Sequence, residues 1–560
     1  MSYDVMFSLR DTAVVWEEMD RISCLPKVIL HDILGRLSDK DAAKTIVLSK
    51  SWRETWFSFP ILSVCSEAFF RVHDLTYSLW HSRFHIFLEY VTKRLVRLRD
   101  QGLAIKELKL DLNHILDHTQ LAHHVDQWIP MAIESGVEVL ELRLTDGDMG
   151  EWYSLPVCLT EAKSLTKLVL RGGIRLDPTF LNHSLKFYSM KTLSLTNILF
   201  GDKGVMEHFI SHCPLIEHLT LKFCHVDNPL RIEDSPDSRT YPVKSLSLHG
   251  LQKLKGVYVQ GIHEVYIGVP NLENLCYHAP NRDVPLKLKL DSCTNLRSLS
   301  LWFLRNPNKW LHELFCRAPF LESLMLHHCV KFDHERINFS CPQLKFFGLL
   351  YPCNLKEVNI DAPNLLSCEY MGLDKSAISF LRISNQLEVN AQIIMHRGNI
   401  YSLREFVQNI KPQKLLDSLT LFIRAPYPIR ESSGVLQVSS PPPSIKHLQL
   451  RFHMPNEAHY FPLMNWLLSS CCPETISFNL QSNFNMKPFI VFFYEMLMDR
   501  KKCQCYLRSR SNECCWHGLK VVKITHSKRP YENVEDLKAM LGALPEESYV
   551  AEYIIFDLES

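Results

Sequence analysis

An α/β architecture is expected from this chain: a short N-terminal helical module, then an irregular solenoid of stacked parallel strands with helical or loop returns. Three observations point there. At 560 residues the chain is too long for one hydrophobic core. A broad apolar stripe at helical spacing runs from Leu25 to Leu37. Behind it, an L-x-x-L-x-L pattern recurs at intervals close to 25 residues.

The bulk composition narrows the classes of function. Hydrophobic residues make up 46% and charged residues 22%, as in folded soluble proteins. Sixty-two Lys and Arg oppose 61 Asp and Glu, a formal net charge of +1. That balance gives no chain-wide attraction to phosphate, so neither nucleic acid nor a membrane surface is expected as a partner. Asp4, Arg10, Asp11, Glu17 and Glu18 interrupt the first 19 residues, which argues against a secretory leader. The most apolar later stretch, Pro488 to Met498, contains Glu495 and is about half the ~20 residues that cross a bilayer. The expected location is the cytoplasm, the nucleus or both. Eighteen cysteines are scattered with no C-x-x-C spacing, so they are expected to be reduced thiols serving as small apolar residues.

Residues 1–19 read as a tail, and 20–64 as the helical module. Pro26 suits a first helical turn, where its missing N–H is not needed. Leu25, Ile29, Leu30, Ile33, Leu34 and Leu37 then mark a wide helical stripe. Ser38 and Asp41 form a possible capping box, and a second helix is expected over Ala42 to Trp56, with Pro60 at the exit. A module this short cannot bury so wide a stripe alone. Either part of it faces a partner, or the module caps the repeats behind it.

The residue identities add to this reading. Leu25-Pro26, the Ile-Leu pairs, Lys40-Asp41-Ala42, Leu48-Ser49-Lys50 and Trp52-Arg53-x-x-Trp56 resemble the F-box family in that family's order. The resemblance covers about 45 residues. It implies docking onto the Skp-type adaptor of a ubiquitin ligase and, through it, onto cullin. By the same resemblance Leu25, Pro26, Ile29, Leu30 and Ile33 lie in or near the docking face, while Leu48, Trp52 and Trp56 divide between docking and internal packing.

The repeat body is expected over 65–425. Clear strand motifs are Leu165/Leu168/Leu170, Met190/Leu193/Leu195, Ile216/Leu219/Leu221, Val243/Leu246/Leu248, Leu296/Leu299/Leu301, Leu321/Leu324/Leu326 and Leu344/Phe347/Leu349. Weaker copies include Leu272/Leu275/Tyr277, Leu416/Leu419/Leu421 and Leu519/Val522/Ile524. The middle positions 142, 168, 193, 219 and 246 are 26, 25, 26 and 27 apart, within the leucine-rich-repeat range. One strand with one return cannot bury its own leucines, whereas stacked copies share a core. Where the middle positions advance by only 10–11, from 246 to 257 and from 347 through 358 to 368, helix-free returns are expected. The motif fades between Tyr370 and Leu416, which suggests a joint.

Cys-Pro or Ala-Pro precedes many strands, at Cys213, Ala279, Ala318, Cys341, Ala362 and Cys472. Proline there ends a return and opens a strand, with the small residue packed inside. This punctuation resembles plant F-box proteins with leucine-rich repeats. Polar insertions at Asp227 to Thr240 and 426–444 read as surface loops. From 445 to 560 the segments Ser444 to Leu450, Trp466 to Phe478 and Cys515 to Ile524 resemble the FBD-type tail of those proteins, continuing and capping the repeats. A closing helix is expected over 531–544 and a last strand over Tyr549 to Leu558.

No catalytic signature is present: G-x-S-x-G, a Walker loop and G-x-G-x-x-G are all missing. No catalytic residue, cofactor or metal is assigned. Cys503, Cys505, Cys514, Cys515 and His517 cluster, but at spacings poor for zinc. A receptor needs only to hold a protein substrate close to the ligase. Its contact residues are expected between and just after the core leucines of each strand motif, with Arg171 and Trp302, as hot-spot types, and His249 and His327 as the candidates. The alternatives are a solvated strand face, a binding scaffold without turnover, and a small-molecule co-receptor.

Overall fold

The structure, a computed structural model, describes residues 22, 25–37, 39–67, 77–113, 118–145, 152–227, 240–281, 287–305, 308–330, 336–353, 355–373, 377–382, 384, 386–394, 406–407, 410, 416–424, 444–453, 457–479, 487–498, 521–526, 529–531, 534–543 and 553–559. The chain divides into two compact units, Met1–Pro214 and Leu215–Ser560.

The first unit opens with α1, Lys27–Arg36. Pro26 stands at its N-cap, and the proline carbonyl accepts from the amides of Ile29 (2.8 Å) and Leu30 (3.1 Å). The second expected helix is broken in two. After α2, Asp39–Lys44, and a 3-10 turn, Thr45–Val47, the chain restarts as α3, Lys50–Phe57. The cause is Ser49, whose extended backbone ends one element while its hydroxyl accepts from Trp52 N–H at 3.2 Å to start the next. Ser38, expected in a capping box, lies outside the described residues. Leu30, Leu34, Ala42, Trp52, Trp56 and Phe59 form the module's core.

The first repeat strand, Ile61–Cys65, begins inside the segment expected to be purely helical. Glu107–Leu112, Val139–Leu144, Lys167–Leu176 and Thr192–Phe200 add to it in parallel. The long helix α4, Tyr77–Asp100, and a second helix, His118–Glu134, form the early returns. Short 3-10 turns serve later. The register stacks Leu62, Leu108, Leu140, Leu168 and Leu193 in one buried column. Each such side chain contributes about 1.5–3 kcal/mol on burial, which is why one leucine per rung suffices to align the stack.

In the second unit eleven parallel strands run from His218–Lys222 to Cys472–Asn479. Two expectations fail here. Leu246 belongs to a second, three-stranded sheet of Ser245–His249, Glu264–Gly268 and Lys287–Leu290, while Val257 is the true next rung after Leu219. Val358 likewise lies in Arg336–Ser340, Glu357–Asp361 and Ala377–Arg382. These returns are helix-free, as the 10–11-residue advance implied, because their sequences (Lys-Leu-Lys-Leu, Glu-Val-Asn-Ile) alternate at the period of a strand. Among the described residues the expected joint between Tyr370 and Leu416 does not interrupt the sheet. Glu388–Ile394 pairs on both sides and carries the sheet through, with Val389 and Ala391 in place of the leucines.

Cys213, Ala318, Cys341 and Ala362 are buried before their prolines. Cys472 departs from the expectation of reduced thiols: it is disulfide-bonded, at the half-exposed start of its strand, beside buried Cys471. At this end Tyr553–Glu559 pairs antiparallel with Cys472–Asn479 and with Val521–His526, so Val522 and Ile524 are not a further parallel copy. The closing helix is Val534–Ala543. Phe478, Phe493 and Phe556 meet edge to face at 5.1–5.6 Å. The loop segments 228–239 and 426–443 and the cysteine cluster 503–517 lie outside the described residues.

Candidate functional site: a docking module and an outward strand face

The stripe of α1 has two destinations. Leu30 and Leu34 are 1% exposed and pack on Trp52 and Trp56, whereas Val28 and Ile29 point away at 77% and 46%. Among the described residues nineteen large apolar side chains are exposed, and seven of them fall between Ile22 and Leu48. These are Ile22, Leu25, Val28, Ile29, Leu37, Val47 and Leu48. Such a concentration in one small module is what an unsatisfied protein interface looks like. Of the expected docking residues, Leu25, Pro26, Ile29 and Leu48 are exposed and Ile33 is half-buried. Leu30 and Trp52 are internal instead, because the module needs them to close its own core. Val28 and Val47 were not singled out from the sequence. The signal for Val28 was the width of the stripe, which exceeds what one buried face requires.

Arg94 of α4 fastens this module to the repeats. It is 4% exposed and donates to the carbonyls of Phe57 (2.7 Å), Phe59 (3.3 Å) and Trp56, at the C-terminus of α3. Its guanidinium also lies 5.1 Å from the Trp56 ring centroid, and Arg97 lies 3.8 Å over Phe57. Burial pushes Arg94 down to about 10, so it stays charged at neutral pH, facing the negative end of the α3 dipole.

The repeat residues singled out do not converge. Arg171 is exposed on Lys167–Leu176 in the first unit. His249 is exposed but sits on the second sheet, over Gly268. Only Trp302 and His327 meet, as register partners on neighbouring strands. Their rings stack with centroids 3.5 Å apart and planes 16° from parallel.

The register shows what extends that pair. The outward position at the strand ends reads Lys222, Gln260, His278, Trp302, His327 and Leu350 over six consecutive rungs. His278 stacks on the other face of Trp302 at 4.4 Å and 16°, and its Nε2 lies 3.1 Å from the Tyr258 hydroxyl. Lys222 Nζ lies 3.8 Å from the Tyr258 ring centroid. Trp302 Nε1–H donates to Ser300 Oγ at 3.0 Å. Burial, then Lys222, then His327 push His278 down to about 4, so it is neutral at physiological pH. His278 was missed because its motif ends in Tyr277 rather than leucine.

The next residue of several rungs has a positive φ: Phe223 at 50°, Phe303 at 60°, His328 at 52° and Tyr351 at 50°. Bulky residues rarely occupy this left-handed region. His328 lies between Phe303 (5.3 Å) and Tyr351 (4.6 Å), extending the patch along the strand exits. Among the described residues no group of three His, Cys, Asp or Glu is arranged to hold a metal, and no helix is long and apolar enough to cross a membrane.

Fold and site together define an F-box module followed by a leucine-rich-repeat body. Comparison with known proteins agrees. Residues 22–63 match the F-box domain, and residues 98–280 and 284–528 match the LRR domain of the At1g61320/AtMIF1 type. The chain belongs to that F-box/LRR family. Its relatives in Arabidopsis thaliana include the F-box/LRR-repeat protein At2g42720, 32% identical over 36% of this chain and 44% of the relative. The putative F-box protein At3g44060 is 29% identical over 51% of this chain and 61% of the relative. The probable FBD-associated F-box protein At1g32375 is 29% identical over 38% and 46%. The matches thus span about half the length of these curated relatives. Superposition on the solved structure of a Leptospira interrogans LRR protein, LIC12759, gives a TM-score of 0.30 at 13% identity over 74% of this chain and 94% of that chain, too loose to set register or function.

Proposed function

We propose that this chain is the substrate-recognition subunit of a Skp–cullin–F-box ubiquitin ligase. The F-box binds the Skp-type adaptor, and through it cullin, while the repeats hold a protein client; the chain itself performs no catalysis. The proposed setting is the cytoplasm or nucleus. The observation that carries the reading is the exposed apolar set on α1 and around the 3-10 turn: Leu25, Val28, Ile29, Val47 and Leu48, in a module whose sequence matches the F-box. Such side chains gain roughly 1.5–3 kcal/mol each when a partner covers them fully.

Co-purification with the adaptor tests it. Val28→Asp with Ile29→Asp places two charges on the exposed flank and leaves Leu30 and Leu34 untouched. Adaptor binding is expected to fall at least a hundredfold with the melting temperature unchanged. Undiminished adaptor capture by the double variant rejects the assignment.

A further inference from the structure

We infer that the stacked aromatic and imidazole ladder of the second unit is a docking strip for an acidic, aromatic-containing peptide segment of the client. This rests on the receptor reading above and names the chemistry that the receptor selects.

The geometry argues it first. Trp302 is sandwiched between His278 and His327, at 4.4 and 3.5 Å with both planes 16° from its own. Its ring faces are therefore covered, and the ladder presents ring edges outward. Ring edges carry the positive side of the aromatic quadrupole, so they favour carboxylate oxygens, carbonyls and the faces of other rings. Electron-rich groups are what this surface attracts.

Charge gives the second, independent argument. Over the six strands from His218–Lys222 to Phe346–Leu350 the outward positions hold no carboxylate. They read His218, Thr220, Lys222; Gly256, Tyr258, Gln260; Asn274, Cys276, His278; Ser298, Ser300, Trp302; Ser323, Met325, His327; and Phe346, Gly348, Leu350. Lys222 is the only permanent charge among them. Of the acidic residues nearby, Glu217 and Glu322 lie just before the strands and are engaged by Lys255 at 3.0 Å, and by Arg297 and Lys345 at 2.8 Å; Glu273 lies just before Asn274–His278, and the next rung, Ser367–Leu373, brings Glu369 opposite Gly348. A basic peptide meets no counter-charge on these positions, whereas an acidic one meets Lys222.

The backbone adds a third. Phe223, Phe303, His328 and Tyr351 hold their rings beside this strip from a left-handed backbone that costs roughly 1–3 kcal/mol per residue. At the matching exits of the first unit the left-handed residues are Gly172 and Asn197, which adopt that conformation readily, and within the strip itself Gly261 does the same after Gly256–Gln260. Strain retained at four aromatic positions beside this strip is characteristic of a binding site.

Random-peptide display against the full-length chain tests the proposal, with Trp302→Ala, Trp302→Phe and Lys222→Glu panned in parallel. Enriched sequences should combine Asp or Glu with Phe, Tyr or Trp. Trp302→Ala should weaken the best peptide at least tenfold, Trp302→Phe less, and Lys222→Glu should shift enrichment away from acidic residues. Lys222 is on the surface, so its variant reports even where a tryptophan variant misfolds. Enrichment of Lys- and Arg-rich peptides, enrichment indifferent to both positions, or no enrichment at all overturns the inference. Adaptor capture measured on the same preparation reports separately on the ligase reading.

Discussion

On the strands before Pro214 the outward positions include Glu107, Lys109, Asp111, Glu141, Arg143, Lys167 and Arg171. Six of the seven pair among themselves: Lys167 reaches Glu141 at 2.7 Å, Lys109 reaches Glu107 at 2.5 Å, and Arg143 lies 3.5 Å from Asp111. On the strands after Leu215 the same positions carry Tyr258, His278, Trp302, Met325 and His327. The inward columns of the two units are alike, leucine over leucine in register. The inward face is dictated by the need to fill one continuous core, and the outward face is free to differ. In the first unit that freedom goes largely into charges paired along and across the strands. In the second it goes into edge-presenting rings at strained exits.

The strand exits of the two units differ in the room they leave for a side chain. Gly172 (φ 97°) occupies an exit in the first unit, and a Cβ there would sit 1.9 Å from the Leu144 carbonyl oxygen. Gly172→Ala is expected to destabilise the first unit by about 3 kcal/mol or more, since backbone must shift. Gly250→Ala in the second unit, at φ 75° with nothing within 4 Å of the new methyl, carries the conformational cost of about 1–2 kcal/mol alone. Equal denaturation midpoints for the two variants would contradict the contact.

Arg94→Met should cost the first unit about 2–3 kcal/mol, because three carbonyls at the end of α3 lose a charged donor in a buried place. Hydrogen exchange should rise in Lys50–Phe57 and leave the second unit as it was. Uniform exchange changes across both units would refute a local clamp.

Acid probes the strip of the second unit. The folded pKa of His278, about 4, lies below the ordinary value of 6.5. Between those values the unfolded chain binds the proton and the folded chain does not. Stability from this site is therefore complete above pH 6.5 and is lost as pH falls towards 4. Lowering pH from 7 to 5 should weaken the second unit in the wild type, with a smaller slope in His278→Gln. Identical pH slopes would remove His278 from the account.

The inward half of this molecule was legible because burial writes a periodic code. Leu168, Leu193, Leu219, Leu299 and Leu324 all took the places their spacing implied. The same code misled at Leu246: the interval of 27 residues from Leu219 fits a rung, yet alternating Ser-Leu-Ser-Leu-His builds a second sheet equally well. His249 went astray with it. Glu388–Ile394 was illegible for the opposite reason, since Val389 and Ala391 fill the core without a leucine. The split of the F-box helix at Ser49 is a one-hydroxyl effect that apolar spacing cannot register. The aromatic strip needed the register itself, because His278, Trp302 and His327 are 24 and 25 residues apart and meet only after the strands align.

The smallest effect tests whether the exits of the second unit are strained at all. Phe223 (φ 50°) is 51% exposed, more than Phe303, His328 or Tyr351, so strain is least mixed with packing there. Asparagine tolerates the left-handed region, as Asn197 at φ 54° does in the first unit. Phe223→Asn should therefore leave stability unchanged or raise it by about 0.5–1 kcal/mol, although it removes a large apolar side chain. A loss above about 1 kcal/mol in chemical denaturation would mean that the ring contributes packing rather than occupying a strained position. Parity or gain would mean that the second unit keeps an aromatic where its own fold favours asparagine, a choice the charge-paired first unit does not make.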